Sequence, residues 1–189
     1  MSYNVGVIMF PGSNCVQETI DFFNFLECDV SSIFHKEINI PKLDLYVLPG
    51  GFSYGDYIRT GMLSSKSPVM NEIEKHARQG SKVLGICNGF QILCERKMLP
   101  GTLRKNKNLT FICDIVRIRN VKTNKLYVLP MAHGEGNYYH SNPSEVNVAY
   151  RYVYDVNGSV ENIAGIYLSL IHISEPTRPL YISYAVFCL

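Results

Sequence analysis

KVLGICNGFQIL, residues 82–93, passes from a short apolar strand pattern to a helical one through a turn that sets Cys87 between two glycines. Its first five residues have the nearly continuous apolar character of a strand buried on both faces, and from Gly89 onward the apolar residues recur at helical spacing. Working outward, NVGVIMF (4–10), closed by Pro11-Gly12, reads as a strand, and VQETIDFFNFLE (16–27) as a helix with Ile20, Phe23 and Leu26 on one side. DVSSIFH (29–35) is a second strand, and LDLYVLPGG (43–51) a third that ends in a Pro-Gly-Gly turn. PVMNEIEKHARQG (68–80) opens with a proline suited to a first helical turn and closes on a glycine suited to a C-cap. Strands alternating with helices predict an α/β fold, a parallel sheet with helices on both faces whose ligands collect at the carboxyl ends of the strands.

Beyond Pro100-Gly101 the pattern changes. LTFICDIVRIRNV (109–121) and KLYVLPMAHGEG (125–136) read as strands, and residues 150–168 as a hairpin turning at Asn157-Gly158. LRKNKN (103–108) reads as a solvated basic loop. No repeat or linker divides the chain, so one domain is expected. The net charge of +2, with 18% charged and 47% hydrophobic residues, argues against nucleic acid or an anionic membrane as the main partner. With no basic leader and no apolar stretch of membrane-spanning length, the expected location is cytoplasmic. The six cysteines form no C-x-x-C pair and no metal-spaced cluster with histidine. They read as separate reduced thiols, with Cys87 and Cys94 about two helical turns apart and out of disulfide range.

Two readings of Cys87 compete. At an elbow between strand and helix, Gly85 and Gly89 would leave room for a substrate, and the helix N-terminus would stabilise a thiolate. The backbone N–H of Asn88 would face an oxyanion, and the Gly50-Gly51 turn could supply a second donor. The other reading makes Cys87 a small buried residue, as free cysteine often is, with glycines that only permit tight packing. The pentapeptide alone balances the two; the second glycine turn favours the nucleophile.

LPGGFSYGDYIRTG, GICNGFQIL, AHGEGNYY and NGSVENIAGI, in this order, resemble the glutamine amidotransferase subunits of phosphoribosylformylglycinamidine synthase, class I (triad-type) glutaminases of purine biosynthesis. The resemblance covers about residues 5–166. It implies the class I amidotransferase fold, a flavodoxin-like open and mostly parallel sheet with antiparallel strands in the C-terminal half. It also implies that Cys87 attacks the side-chain amide of glutamine, that Gly51 and Asn88 form the oxyanion hole with Gly50 beside them in the substrate site, and that Gln91 lines the glutamine pocket. His133 and Glu135 invite completion of a triad on the spot, but the family takes its base from elsewhere, which leaves His133 as a pocket residue. The subunit needs no cofactor of its own. ATP and Mg act in the synthetase subunit, which receives the ammonia, and a small third subunit bridges the two in some organisms. FSYGDYIRTG, and Arg59 within it, is the candidate surface for docking the synthetase.

The pattern breaks at the end. The family's base and orienting acid come from a His-Pro-Glu segment that this sequence lacks. The chain reads instead LSLIHISEPTRPLYISYAVFCL. His172 and Glu175 could be offered as a displaced pair, but the histidine comes too early and the spacing is three rather than two. PLYISYAVFCL is rich in strand formers and could be a divergent last strand. The favoured reading is that 1–166 is the amidotransferase domain and 167–189 a foreign tail resembling translated adapter sequence, with little turnover expected for want of the triad His and Glu. Another cysteine hydrolase on the same scaffold, and a subunit that docks the synthetase without hydrolysing glutamine, stand as alternatives.

Overall fold

The computed structural model describes residues 2–169 and 181–186. His172 and Glu175 lie outside the described residues. In chain order the elements are β1 (Asn4–Met9), α1 (Val16–Phe25), β2 (Asp29–Phe34), β3 (Leu45–Leu48), α2 (Met62–Ser65), α3 (Val69–Arg78), β4 (Lys82–Gly85) and α4 (Asn88–Glu95). There follow β5 (Thr102–Arg104), β6 (Ile112–Asn120), β7 (Leu126–His133), β8 (Asn137–Tyr139), β9 (Asn147–Tyr152), β10 (Ile163–Ser169) and β11 (Tyr181–Val186).

The main sheet runs β2-β1-β3-β4-β11-β10-β9-β6-β7. Its first four strands are parallel in the flavodoxin-like order. From β10 to β7 the pairing is antiparallel, and β11 joins the halves, parallel to β4 and antiparallel to β10. β5 and β8 form a separate short ribbon.

Side chains of the parallel strands alternate between two cores, as the strand pleat requires. Val5, Val7 and Val47 pack with Phe23 of α1 on one face, while Ile8, Tyr46 and Leu48 pack with α3 and α4 on the other. Helices therefore cover both faces. α3 buries Val69, Met70, Ile73 and Ala77 on one stripe and keeps Glu72 in its first turn and Lys75 and Arg78 in its last, an order that suits the helix dipole. In the antiparallel half a smaller core gathers around Val116, Ile118 and Met131. No helix among the described residues is long and apolar enough to cross a membrane.

Two local expectations are corrected. β9 and β10 do pair, but they are joined by residues 153–162 rather than by a tight Asn-Gly turn, and Asn157 is 1% exposed because its amide is hydrogen-bonded inward. Residues 103–108 are not a plain solvated loop: Leu103 and Arg104 belong to β5, and Asn106 is fully buried between exposed Lys105 and Lys107. Buried polar side chains must find partners, and both asparagines do.

Candidate active site

β4 runs straight into the elbow. The Ile86 N–H donates to the Leu48 carbonyl (3.0 Å), and the Phe90 and Gln91 N–H groups close the first turn of α4 on the Cys87 carbonyl (2.9 and 3.2 Å). Cys87 itself has φ 53° and ψ −108°. That ψ lies far from the left-handed helical region, close to the glycine-favouring first central position of a type II′ turn, and such conformations cost a non-glycine residue about 1–3 kcal/mol. α4 can press this closely on β3 because residue 89 is glycine: a Cβ there would overlap the Leu48 carbonyl oxygen and stand 2.8 Å from Leu48 Cβ. Cys94 on the same helix is an ordinary core thiol, buried and with its pKa pushed up by that burial. Cys87 thus differs from Cys94 in combining a strained backbone with a place on the pocket wall.

The second glycine turn lies against the first. A Cβ on Gly50 would sit 3.4 Å from Cys87 Cβ and 3.6 Å from Cys15 Sγ, so the two turns touch. Gly51 has φ +127°, and a side chain there would run into the backbone nitrogen of Asn14, so only glycine fits. Among the described residues no backbone acceptor is paired with the N–H of Gly51 or of Asn88. Burial, then Glu18, then Cys87 raise the pKa of Cys15.

The opposite wall comes from the antiparallel half. Cys87, Gln91, His133, Glu135, Gly136 and Tyr152 line one pocket. Gln91 is held at both ends of its amide, accepting from Asn88 Nδ2 (2.9 Å) and donating to the Glu135 carbonyl (2.9 Å). Asn88 Oδ1 in turn receives the Ser53 N–H (3.3 Å), tying the loop after Gly51 to α4. His133 is buried at the end of β7, and burial lowers its pKa to about 4, so the ring is neutral at physiological pH. Glu135 lies just beyond that strand and accepts from Thr60 Oγ1 (2.8 Å). Asp56 stands in the same electrostatic neighbourhood. Burial, reinforced by the Glu135 charge, raises its pKa to about 6, and its Oδ1 is buried without a hydrogen-bond partner among the described residues. No group of three or more metal-ligating side chains occurs among the described residues.

Arg59 is placed differently from a free docking cation. Its guanidinium pairs with Glu95 (2.7 Å) and donates to Thr102 Oγ1 (2.7 Å) and the Leu103 carbonyl (3.2 Å). Its neighbours Tyr57 and Ile58 are the outward side chains, 74% and 77% exposed. Asp56, Thr60, Asn106, Asn157 and Ser159 escaped the sequence reading as site residues. NGSVENIAGI was visible as a motif, but its asparagine looked like a turn former.

Residues 2–169 match the CobB/CobQ-like glutamine amidotransferase domain. The chain belongs to that family. Among amidotransferase relatives, it is 43% identical to the phosphoribosylformylglycinamidine synthase subunit PurQ of Acaryochloris marina, over 85% of this chain and 80% of the relative. The PurQ subunit of Trichormus variabilis matches equally well, again at 43% identity over 85% and 80%. The solved PurLQS structure from Thermotoga maritima superposes with a TM-score of 0.82 at 36% identity, covering 88% of this chain and 82% of that one. At 20% identity, a glutamine amidotransferase from the same organism shares the fold, with a TM-score of 0.59 over 83% of this chain and 70% of that one.

Proposed function

We propose that this amidotransferase is the glutaminase subunit of phosphoribosylformylglycinamidine synthase, hydrolysing glutamine to glutamate and ammonia and supplying the ammonia to an ATP-dependent synthetase subunit in purine biosynthesis. The observation that carries this is Cys87, strained at its elbow against the Gly50-Gly51 turn and sharing a pocket with Gln91 and His133, in a chain 43% identical to PurQ subunits. In this reading the Cys87 thiolate adds to the amide carbon of glutamine, and the N–H groups of Gly51 and Asn88 hold the oxyanion. Collapse, with a proton passed to the departing nitrogen, expels ammonia and leaves a thioester, which water cleaves to glutamate and the free thiol. Gln91 and His133 shape the glutamine pocket, and the loop bearing Tyr57, Ile58 and Arg59 docks the synthetase. We place this activity in the cytoplasm, and no helix among the described residues is long and apolar enough to cross a membrane.

We also propose that residues 167–189 are foreign to the amidotransferase domain of 1–166 and that turnover is low because the sequence carries no His-Pro-Glu segment to deprotonate Cys87. The family match ends at residue 169, close to that boundary, although residues 181–186 form β11 of the main sheet. Ammonia release should be measured with the synthetase present, for this chain and for one given a His-Pro-Glu ending. Release from the second alone is expected; equal release from both would refute the missing-base account. A protein that docks the synthetase without catalysis would bind it normally and form no thioester with glutamine in either version.

A further inference from the structure

Asn157 and Asn106 approach the turn after β7 from opposite sides. Asn157 Oδ1 accepts from the Ser159 backbone N–H (3.1 Å) and from the Ser159 hydroxyl (2.8 Å). A backbone N–H can only donate, so the amide oxygen must face Ser159 and the amide nitrogen must face the other way. On that side Nδ2 donates to the Gly136 carbonyl (2.9 Å) and stands 3.4 Å from His133 Nε2. An amide –NH2 has no acceptor to offer. A hydrogen bond at that contact requires the lone pair on His133 Nε2 and so puts the ring hydrogen on Nδ1, which is buried without a hydrogen-bond partner among the described residues. Asn106 completes the grip: its Nδ2 donates to the His133 carbonyl (2.8 Å) and the Thr110 carbonyl (2.9 Å), and its Oδ1 accepts the Gly136 N–H (3.1 Å). The turn so held carries Glu135, whose carbonyl fixes Gln91 (2.9 Å).

We propose that Asn157, oriented by Ser159, is a positioning residue of this pocket: it holds His133 as the Nδ1–H tautomer and, through the Gly136 carbonyl, sets the turn against which Gln91 is fixed. Its effect on glutamine rests on the glutaminase reading; its effect on His133 does not. The distinction matters because a flipped or protonated His133 would set a donor against the donor of Asn157 and loosen the wall opposite Cys87.

Asn157→Asp tests this, since it keeps the shape and replaces the donor facing His133 with an acceptor. In ¹⁵N-histidine-labelled protein at neutral pH, two-bond ¹H–¹⁵N spectra should show His133 with a protonated Nδ1 and a bare Nε2, and in N157D a protonated Nε2. With a chloromethyl ketone analogue of glutamine, the half-saturating concentration for alkylating Cys87 should rise about tenfold in N157D, the size expected for one lost hydrogen bond, with the limiting rate within about twofold. Ser159→Ala, which removes one of the two groups orienting the amide, should move both readouts the same way by a smaller factor and serves where N157D does not fold. A wild-type His133 protonated on Nε2 would overturn the proposal, as would folded variants with unchanged spectra and unchanged saturation. In a chain given a His-Pro-Glu ending, failure of the analogue to alkylate Cys87 would refute the glutaminase reading instead, while the spectra still decide the role of Asn157.

Discussion

Replacing Cys87 by glycine should leave the fold more stable than replacing it by alanine. Both substitutions delete the thiol. Alanine retains a Cβ at φ 53° and ψ −108°, whereas glycine tolerates that conformation. Relief of strain is worth about 1–3 kcal/mol, and the extra backbone entropy of an unfolded glycine takes back about 0.5–1 kcal/mol. Glycine is therefore expected to exceed alanine by up to about 2.5 kcal/mol, read from urea midpoints with matched slopes or as roughly 2–4 °C in Tm per kcal/mol at this chain length. Glycine is also the better helix N-cap, so a control is needed. Cys15 supplies it: it caps α1 with φ −93°, where no strain is present. The glycine-over-alanine margin at 87 should exceed the margin at 15. Equal margins, or alanine the more stable at 87, would refute the claim that the elbow stores strain.

Gly89→Ala should destabilise the chain by about 1–3 kcal/mol through overpacking on Leu48 and slow alkylation of Cys87; a neutral effect in urea melts would contradict the close approach of α4 to β3. Native thiol titration should show exposed Cys113 reacting at once and Cys94 only after denaturant is added. Asp56 has a folded pKa raised from 3.8 to about 6, so the native state favours its protonated form, and that advantage is lost as pH rises from about 4 through 6. Asp56→Asn should accordingly gain stability over the parent at pH 8 and lose that gain towards pH 4; a gain independent of pH would refute the assignment. Arg59→Ala should lower stability by no more than about 1 kcal/mol, because its ion pair with Glu95 is partly solvated, while association with the synthetase measured by calorimetry should weaken.

β1, β3 and β4 were legible because burial on both faces writes itself into the sequence as apolar runs, and α3 and α4 as apolar stripes; β2 is mostly exposed, and on α1 Leu26 is 50% exposed rather than packed beside Phe23. KVLGICNGFQIL shows its strand, elbow and helix directly, and Gly51 could be matched to Cys87 because glycine pairs at strand ends are rare enough to notice. Other features left no local trace. β5 and β8 are three residues each, too short to establish a period. Arg59 looks identical whether it faces a partner or, as here, Glu95. Asn106 and Asn157 carry the residue type of an exposed turn, and only the distant carbonyls they bond, at His133 and Gly136, pull them inward. Hydrogen bonds between segments far apart in sequence are invisible to any reading by window.

The pocket draws Cys87 from one half of the sheet and its opposite wall from the other, and synthesis separates the two in time. His133 follows Cys87 by about fifty residues, or several seconds of translation at typical rates. During that interval the elbow can form on β3 and β4 while the side chains that will enclose it do not yet exist. A nascent chain would thus pass through a stage with a folded thiol turn open to solvent, vulnerable to oxidants and electrophiles that the finished pocket would screen.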